Sequence, residues 1–325
     1  MRGRSRSTLL AVTVLLVAGC GGGSSAGDPA APPTSASPTT ARGVTVFDVG
    51  AAPCGIAVAA GSVWVSDAAE ATLYRIDPST GAATKAAELD PSPCEITVAF
   101  GSLWVVTQSG FVDRIDPRSG RRTARVPVGT TSYQVMQTPG ALWVSNRGDG
   151  TLTRVDPRTA KAVDTVRLRG VKPGGMAYAG GSLWIGDDTS GNSYLLRMDP
   201  ETGDVSRVRS GGSRPAYLAE VDGDVWVSNS DDGTVSHLDA TTGKVVATVD
   251  VGLNPVNLKP GPDGAAEVWV PDDLDGTVTR IDATTGTVVE TFQVDGGPAV
   301  VRAVGDDVWV TLFTSGQVAR LTPTG

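Results

Sequence analysis

Pairs of adjacent carboxylates recur in the second half of the sequence, each pair a few residues after a tryptophan. Carboxylate oxygens are the ligands that Ca²⁺ and Mg²⁺ prefer, and they also bind basic groups. We therefore predict a binding rim for a cation, a basic peptide or a polyamine-like ligand. The alternative is local turn formation, because Asp often bonds the backbone of hairpins. The pairs are Asp187 and Asp188, Asp231 and Asp232, and Asp272 and Asp273.

Single polar residues add candidates for the same binding site. Most stand at the start of the apolar segments that precede the tryptophans, and Asn229 precedes one of the acidic pairs. If these segments line a channel, the residues lie near its mouth. The alternative is packing between elements, because the side chains of a strand alternate in direction. The candidates are Glu95, Tyr133, Gln134, Tyr217, Asn229 and Asn257.

The first twenty residues indicate export. Three arginines precede an apolar run over residues 9–18, which is about half the length of a membrane-spanning helix and is typical of a signal peptide. Val17-Ala18-Gly19-Cys20 resembles the lipobox of bacterial lipoproteins. The resemblance implies that residues 1–19 are removed, that Cys20 receives diacylglycerol, and that the protein is anchored to the outer face of the cell membrane. A chance cysteine after an ordinary signal peptide is the alternative.

Residues 20–42 are predicted to be a disordered tether. After Cys20 they contain Gly, Ser, Pro and Thr and no large apolar side chain. Such a segment buries too little apolar surface to offset the entropy of ordering it. The folded domain is therefore expected to span residues 43–325.

Two cysteines remain beyond the lipid anchor. Cys54 and Cys94 each follow a proline at equivalent places in neighbouring repeats. An exported protein permits disulfides, and an even count fits one. A Cys54–Cys94 bond is predicted, with the alternative that the two residues exceed the Cα limit of roughly 7 Å. Two cysteines alone supply too few ligands for a zinc site.

The sequence contains seven tryptophans in equivalent contexts. They stand about 40 residues apart, which is a period typical of four-stranded propeller blades. Each repeat contains four short, β-branched or alternating segments bounded by Gly, Asp, Asn and Pro, and residues after 43 show no helical period. The tryptophans are Trp64, Trp104, Trp143, Trp184, Trp226, Trp269 and Trp309.

The two ends of the repeat array complement each other. The last repeat stops after its third strand, while residues 43–50 match a fourth strand that has no repeat of its own. Pairing them closes the ring and removes an exposed edge. The predicted fold is therefore an all-β, seven-bladed β-propeller of four-stranded antiparallel blades, whose last blade is closed by the N-terminal strand.

The repeat over residues 234–255, with the preceding Val225-Trp226-Val227-Ser228-Asn229, resembles the YVTN family of β-propeller repeats. Units such as Pro53-Cys54-Gly55-Ile56 are similar to the virginiamycin B lyase family. Both resemblances imply a fold better than a function. The lyase resemblance implies a histidine, acidic residues and a magnesium ion at the upper mouth of the channel.

The position of the single histidine argues against catalysis. His237 occupies the repeat position that carries arginine in the other repeats, for example Arg197 and Arg280. This position lies on a third strand and away from the predicted mouth, so no catalytic residue is assigned. We predict a binding or assembly module, and the alternative is a metal-dependent enzyme like the streptogramin lyases.

Bulk charge limits the partners. Asp and Glu number 35 against 27 Lys and Arg, for a net charge of −8. Nucleic acid is disfavoured because phosphate binding needs a basic surface. The expected partners are the membrane, through Cys20, and a protein or small cationic ligand at the upper rim. A monomer is expected, with no cofactor apart from Ca²⁺ or Mg²⁺ at that rim.

Overall fold

The structure, a computed structural model, describes residues 43–263 and 265–324. The predicted signal peptide, the lipidation site Cys20 and the tether lie outside these residues. Within the described ranges there is no helix of the length and apolarity needed to cross a membrane.

The described residues form seven antiparallel sheets of four strands, as the sequence predicts. The first strand of each blade is innermost, because it contacts the first strands of the neighbouring blades in a closed ring. The innermost strands are β2 (Pro53–Ala59), β6 (Pro93–Ala99), β10 (Ser132–Thr138), β14 (Pro173–Ala179), β18 (Pro215–Val221), β22 (Lys259–Pro260) and β26 (Pro298–Val304). The second strands are β3 (Ser62–Asp67), β7 (Ser102–Thr107), β11 (Ala141–Asn146), β15 (Ser182–Asp187), β19 (Asp224–Asn229), β23 (Glu267–Asp272) and β27 (Asp307–Leu312).

The two outer strands of a blade differ in burial: the third strand is mostly buried, as in blades three and four, and the outermost strand is more exposed. The third strands are β4 (Thr72–Ile76), β8 (Phe111–Ile115), β12 (Thr151–Asp156), β16 (Tyr194–Met198), β20 (Thr234–Leu238), β24 (Thr277–Asp282) and β28 (Gln317–Leu321). The outermost strands are β5 (Ala83–Glu88), β9 (Arg122–Pro127), β13 (Lys161–Arg167), β17 (Val205–Arg209), β21 (Val245–Asp250), β25 (Thr287–Gln293) and β1 (Val44–Asp48).

The N-terminal strand closes the seventh blade. Strand β1 pairs antiparallel with β28, with Val44 opposite Leu321 and Asp48 opposite Gln317. The sheet order is β1-β28-β27-β26, which confirms the predicted closure. The two ends of the repeat array are thereby joined by backbone hydrogen bonds within blade seven, which closes the ring.

The tryptophans build the contacts between blades. Each lies in the middle of a second strand, is almost completely buried, and packs against the next blade. Trp64 thus packs with Ile96 and Leu103 of blade two, and Trp309 packs with Ile56 of blade one. Burying a large aromatic side chain at each of these junctions gives every pair of blades its own apolar core.

The third strand covers these tryptophans with a cation in most blades. The Arg197 guanidinium lies 5.2 Å from the centre of the Trp184 ring. In blade five the His237 ring stacks on Trp226 with 4.5 Å between ring centres, and its Nε2 lies 2.8 Å from Asp224 Oδ2. His237 therefore has the predicted structural place in the repeat.

Blade six has an irregular innermost strand. Strand β22 contains only Lys259 and Pro260, and Pro255 forms an isolated bridge with Asp272. Proline has no N–H for the ladder, so two prolines in one segment shorten the pairing. We call the face that carries the loops leading into the innermost strands the upper face, and the opposite face the lower face.

Candidate functional site

Two tyrosines meet near the upper end of the channel. Tyr133 lies in β10 and Tyr217 in β18, two blades apart, and the Tyr133 hydroxyl donates a hydrogen bond to the Tyr217 hydroxyl. Their ring centres are 5.7 Å apart. Burial is the main cause that raises the pKa of both phenols, and the charge of Asp188 adds to it. Both groups are therefore neutral hydrogen-bonding groups at physiological pH.

A glycine in blade four permits this contact. Gly175 lies in β14, between the blades that carry the two tyrosines, and a Cβ atom at this position would stand 2.9 Å from the Tyr217 Cα atom. Any larger residue would push β18 away from β14. The sequence Gly174-Gly175 thus sets the spacing across the upper mouth.

A charged network surrounds the tyrosine pair. Asp188 is only 3% exposed in its side chain and bonds two arginines, Arg147 and Arg214. The Arg147 guanidinium also lies 5.7 Å from the centre of the Tyr133 ring. Burial opposes charge on Arg214, but the hydrogen bond and charge of Asp188 outweigh it and raise the pKa of Arg214. The buried carboxylate is therefore fully compensated.

The second acidic pair extends this network. Asp231 Oδ1 lies 3.5 Å from Arg214 Nη1, and Asp231 Oδ2 accepts hydrogen bonds from the Ser190 hydroxyl and the Gly191 N–H. Asp232 accepts a bond from the Ser213 N–H at 2.6 Å. Both residues are exposed on the upper face. The structure thus brings Asp188, Asp231 and the two tyrosines into one region.

Three of the predicted binding residues instead close hairpins. Each ends a second strand and is buried. Asn229 Nδ2 donates to the hydroxyls of Thr234 and Ser236, at 3.1 and 2.8 Å. Asp272 Oδ2 accepts from Thr277 and Thr279, at 3.2 and 2.6 Å. Asp187 Oδ1 accepts from the Lys172 N–H and the Thr189 hydroxyl, at 3.1 and 2.7 Å.

Asp272 and Asp273 differ in what they contact, although burial raises the pKa of both. Burial is the main cause that raises the pKa of Asp272 to about 6. Asp273 accepts a hydrogen bond from Asn254 Nδ2 at 3.1 Å, within the loop that leads into blade six. The structure does not bring this pair into contact with the arginine network of blades three to five.

The remaining predicted residues lie deeper in the channel. Glu95 is 3% exposed, accepts a hydrogen bond from Asn257 Nδ2 at 2.9 Å, and forms an ion pair with Lys259 at 3.1 Å. Burial opposes ionisation of Glu95, but the charges of Lys259 and Arg302 outweigh it and lower its pKa. Gln134 Oε1 accepts a bond from the Met176 N–H.

Cys54 and Cys94 form a disulfide between neighbouring innermost strands. Their Cα atoms are 4.9 Å apart, inside the range that a disulfide spans. The bond joins β2 of blade one to β6 of blade two near the upper face. Cys94 directly precedes Glu95 in the chain, so the disulfide also fixes the strand that carries this carboxylate.

Three further charged residues of the channel, Arg214, Lys259 and Arg302, were not predicted from the sequence. Arg214 immediately precedes Pro215, where β18 begins, so a survey of the loops that lead into innermost strands would have found it. Lys259 and Arg302 lie on innermost strands, opposite the tryptophan of their blade, at a position where other blades carry uncharged residues such as Ala177 and Ala219. A charge at an otherwise uncharged position of the repeat is the signal that identifies them.

No three His, Cys, Asp or Glu side chains within residues 43–263 and 265–324 are arranged to hold a metal ion. The rim carboxylates bond loop N–H groups, hydroxyls and arginines instead, as described above. The Ca²⁺ or Mg²⁺ hypothesis stays a prediction.

The fold and the channel define the class of this protein as a seven-bladed β-propeller. Two sequence families match parts of the chain. Residues 96–219 match a family described as a repeat of unknown function, and residues 191–325 match the outer membrane protein assembly factor BamB. No curated protein matches the chain.

Solved structures share the fold at low identity. Virginiamycin B lyase from Staphylococcus aureus is 14% identical with a TM-score of 0.73, over 86% of this chain and 100% of the lyase. A streptogramin B lyase is 15% identical with a TM-score of 0.74, over 86% and 97%. Hydrazine synthase from Kuenenia stuttgartiensis is 16% identical with a TM-score of 0.71, over 85% and 96%. At these identities the likeness concerns the fold alone.

Proposed function

We propose that this chain is an extracytoplasmic β-propeller that acts as a binding or assembly module through the upper mouth of its channel. The observation that carries the proposal is the network of Asp188 with Arg147 and Arg214 above the Tyr133–Tyr217 pair. Tyrosine and arginine are the residues that interfaces use most for binding energy. Each of these tyrosine and arginine side chains is already held by a neighbouring residue, so binding a partner costs little side-chain conformational entropy.

A protein partner suits this surface better than a small cation. The rim carboxylates already bond arginines or loop N–H groups, as Asp231 does with Arg214 and Gly191. A cation would have to displace these partners. A protein surface with complementary donors and acceptors would not have to displace them, because it can bind the solvent-facing atoms of the network without breaking its internal hydrogen bonds.

The cellular location in this proposal follows from the N-terminus. An exported lipoprotein, anchored through lipid on Cys20 to the outer face of the cell membrane, would present the propeller on a flexible tether. A disulfide is expected to persist in such an oxidising compartment. The match of residues 191–325 to an outer membrane assembly factor supports both the location and an assembly role.

Affinity purification of the full chain from membranes tests the proposal. The rim variant combines Asp231→Asn and Asp232→Asn, which keep an acceptor oxygen but remove two charges. The matched control combines Asp199→Asn and Asp204→Asn on the lower face, where both carboxylates are also exposed. We expect the amount of co-purified protein to be similar for wild type and control and several-fold lower for the rim variant. Equal recovery with all three chains contradicts the proposal.

The second candidate is a metal-dependent lyase, which the likeness to two streptogramin-type lyases brings forward. Its difficulty is that neither the two tyrosines at the mouth nor the single histidine of the sequence is available there as a base. The raised pKa values of Tyr133 and Tyr217 keep these phenols protonated, and His237 bonds Asp224 on the far side of blade five. Thermal unfolding with millimolar Mg²⁺ or Ca²⁺ separates the candidates, because a metal that binds the folded state raises the midpoint. A binding module predicts an unchanged midpoint.

A further inference from the structure

The lower half of the channel is a cavity of about 450 Å³. This volume lies within the range of small-molecule sites. Its roof carries Glu95, Gln134, Lys259 and Arg302, and its walls are mostly apolar, with the exposed Glu220 near the lower end of β18, where it accepts a hydrogen bond from the Gly223 N–H. Val98, at the lower lip, is 43% exposed, so the cavity is open towards the lower face. The cavity is separate from the tyrosine pair, which lies nearer the upper ends of the same strands.

The roof carries one more positive than negative charge. Glu95 is paired with Lys259 at 3.1 Å, and its other oxygen accepts from Asn257. Arg302 has no ion pair among the described residues, and its Nε donates only a long bond of 3.4 Å to the Ile56 carbonyl. Burial lowers the pKa of both Lys259 and Arg302, which reflects the cost of holding two cations there. An uncompensated guanidinium in such a place is costly unless an anion binds to it.

Gln134 adds a neutral donor to the same roof. Its Oε1 is occupied by the Met176 N–H, which orients the side-chain amide. The NH₂ group has no acceptor among the residues that the structure describes. A guanidinium and an amide NH₂ together match the acceptors of a carboxylate, since guanidinium binds planar carboxylates through two parallel hydrogen bonds.

We propose that this lower cavity binds a small organic carboxylate, with its anionic end at Arg302 and Gln134. The apolar body of the ligand would lie against Val58, Val98 and Leu218. One net positive charge in the roof suits a monoanion better than a phosphate dianion, and the apolar walls suit a hydrocarbon or aromatic group. This site is independent of the proposed function of the upper face.

Calorimetric titration of the full chain with benzoate tests this proposal. Benzamide, which has the same shape without the charge, and inorganic phosphate, which has charge without an apolar body, are the comparison probes. We expect benzoate to bind and both others to bind at least about tenfold more weakly, as expected for a charge-assisted contact in an apolar site. Failure of benzoate to bind, or equal binding of phosphate, overturns the proposal.

Two variants place the binding in the cavity. Arg302→Met is expected to weaken benzoate binding at least about tenfold. It should melt no lower than wild type, because it removes an unpaired buried charge. Val98→Trp fills the lower lip and is expected to abolish binding without changing any charge. The matched control is Arg154→Met, outside the channel, where the arginine covers Trp143. Benzoate binding that survives both channel variants contradicts the proposal.

Discussion

The hydroxyls of Tyr133 and Tyr217 hydrogen-bond to each other across the upper mouth of the propeller, although 84 residues separate them in the chain. The contact spans blades three and five and passes over blade four, where Gly175 leaves room for it. It links two blades that share no backbone hydrogen bonds. The upper mouth is therefore a preformed surface, and its properties can be measured without a ligand.

Replacement of both tyrosines by phenylalanine should leave the tyrosinate titration near pH 10 unchanged. Burial, with the nearby charge of Asp188, raises the pKa of both phenols above 10.0, so neither ionises there in the folded protein. The tyrosinate absorbance gained on titration to this pH should agree between wild type and the double variant, and should differ only after unfolding in urea. A smaller signal from the folded double variant would show that these phenols titrate normally.

Loss of the Cys54–Cys94 bond should destabilise the ring. The sequence separation is 40 residues. Cross-linking a loop of this size stabilises a fold by about 4 kcal/mol in the chain-entropy model. The double variant Cys54→Ser, Cys94→Ser should unfold at lower urea concentration than wild type, and only wild type should respond to a reducing agent. Wild-type stability that does not change on reduction would contradict this prediction.

Glu95→Gln should be strongly destabilising at neutral pH. It leaves Lys259 buried beside Arg302 without a counter-charge, which costs about 3–5 kcal/mol. Adding Lys259→Met should recover much of this loss. The pKa of Glu95 is lowered, so its ionised form contributes stability above the unfolded pKa of about 4.3. The difference between wild type and Glu95→Gln in urea unfolding should therefore shrink as the pH falls below about 4. A difference that is independent of pH would exclude this origin.

Asp272→Asn should stabilise the protein at neutral pH. The pKa of Asp272 is raised to about 6, so ionisation costs stability as the pH rises through that value. Asparagine occupies the equivalent place in blades three and five and bonds the same pair of hydroxyls there. We expect a gain on the order of 2 kcal/mol at pH 7 that disappears near pH 4.

The control for this prediction is Asn229→Asp, which makes the reverse change in blade five. It should lose stability at pH 7 and regain it in acid. Urea unfolding at the two pH values measures both variants. Equal stability of Asp272→Asn and wild type at pH 7 would mean that the carboxylate is not held in an unfavourable ionised state.

Most of the fold could be predicted from the sequence because it repeats. The spacing of tryptophans such as Trp64 and Trp309 sets the blade count, and residues 43–50 supply the missing strand. His237 could be placed because six other repeats carry arginine at its position. The short strand β22 was missed, since its cause is a local combination of prolines in one repeat.

The site was less predictable, because its contacts join different blades. Arg214 meets Asp188 from the next blade, and Lys259 meets Glu95 across the channel, 164 residues away in the chain. The position of Asn229 just before a hairpin predicted that it lies on the rim, but its side chain is buried and bonds two hydroxyls of the next strand. Comparison with Asn146, which has the same place and bonds hydroxyls at the equivalent two positions, would have identified it as a hairpin residue.

Photo-crosslinking in cells tests the proposed upper-face interaction most directly. A photoreactive amino acid is placed in the full chain at Asp232, on the upper face, or at Asp199, in the turn after the third strand of blade four on the lower face. Both side chains are exposed turn carboxylates, so the two substitutions are matched. The proposed function predicts a discrete cross-linked partner from position 232 and none from position 199. Cross-links from position 199 alone, or from neither position, would contradict it.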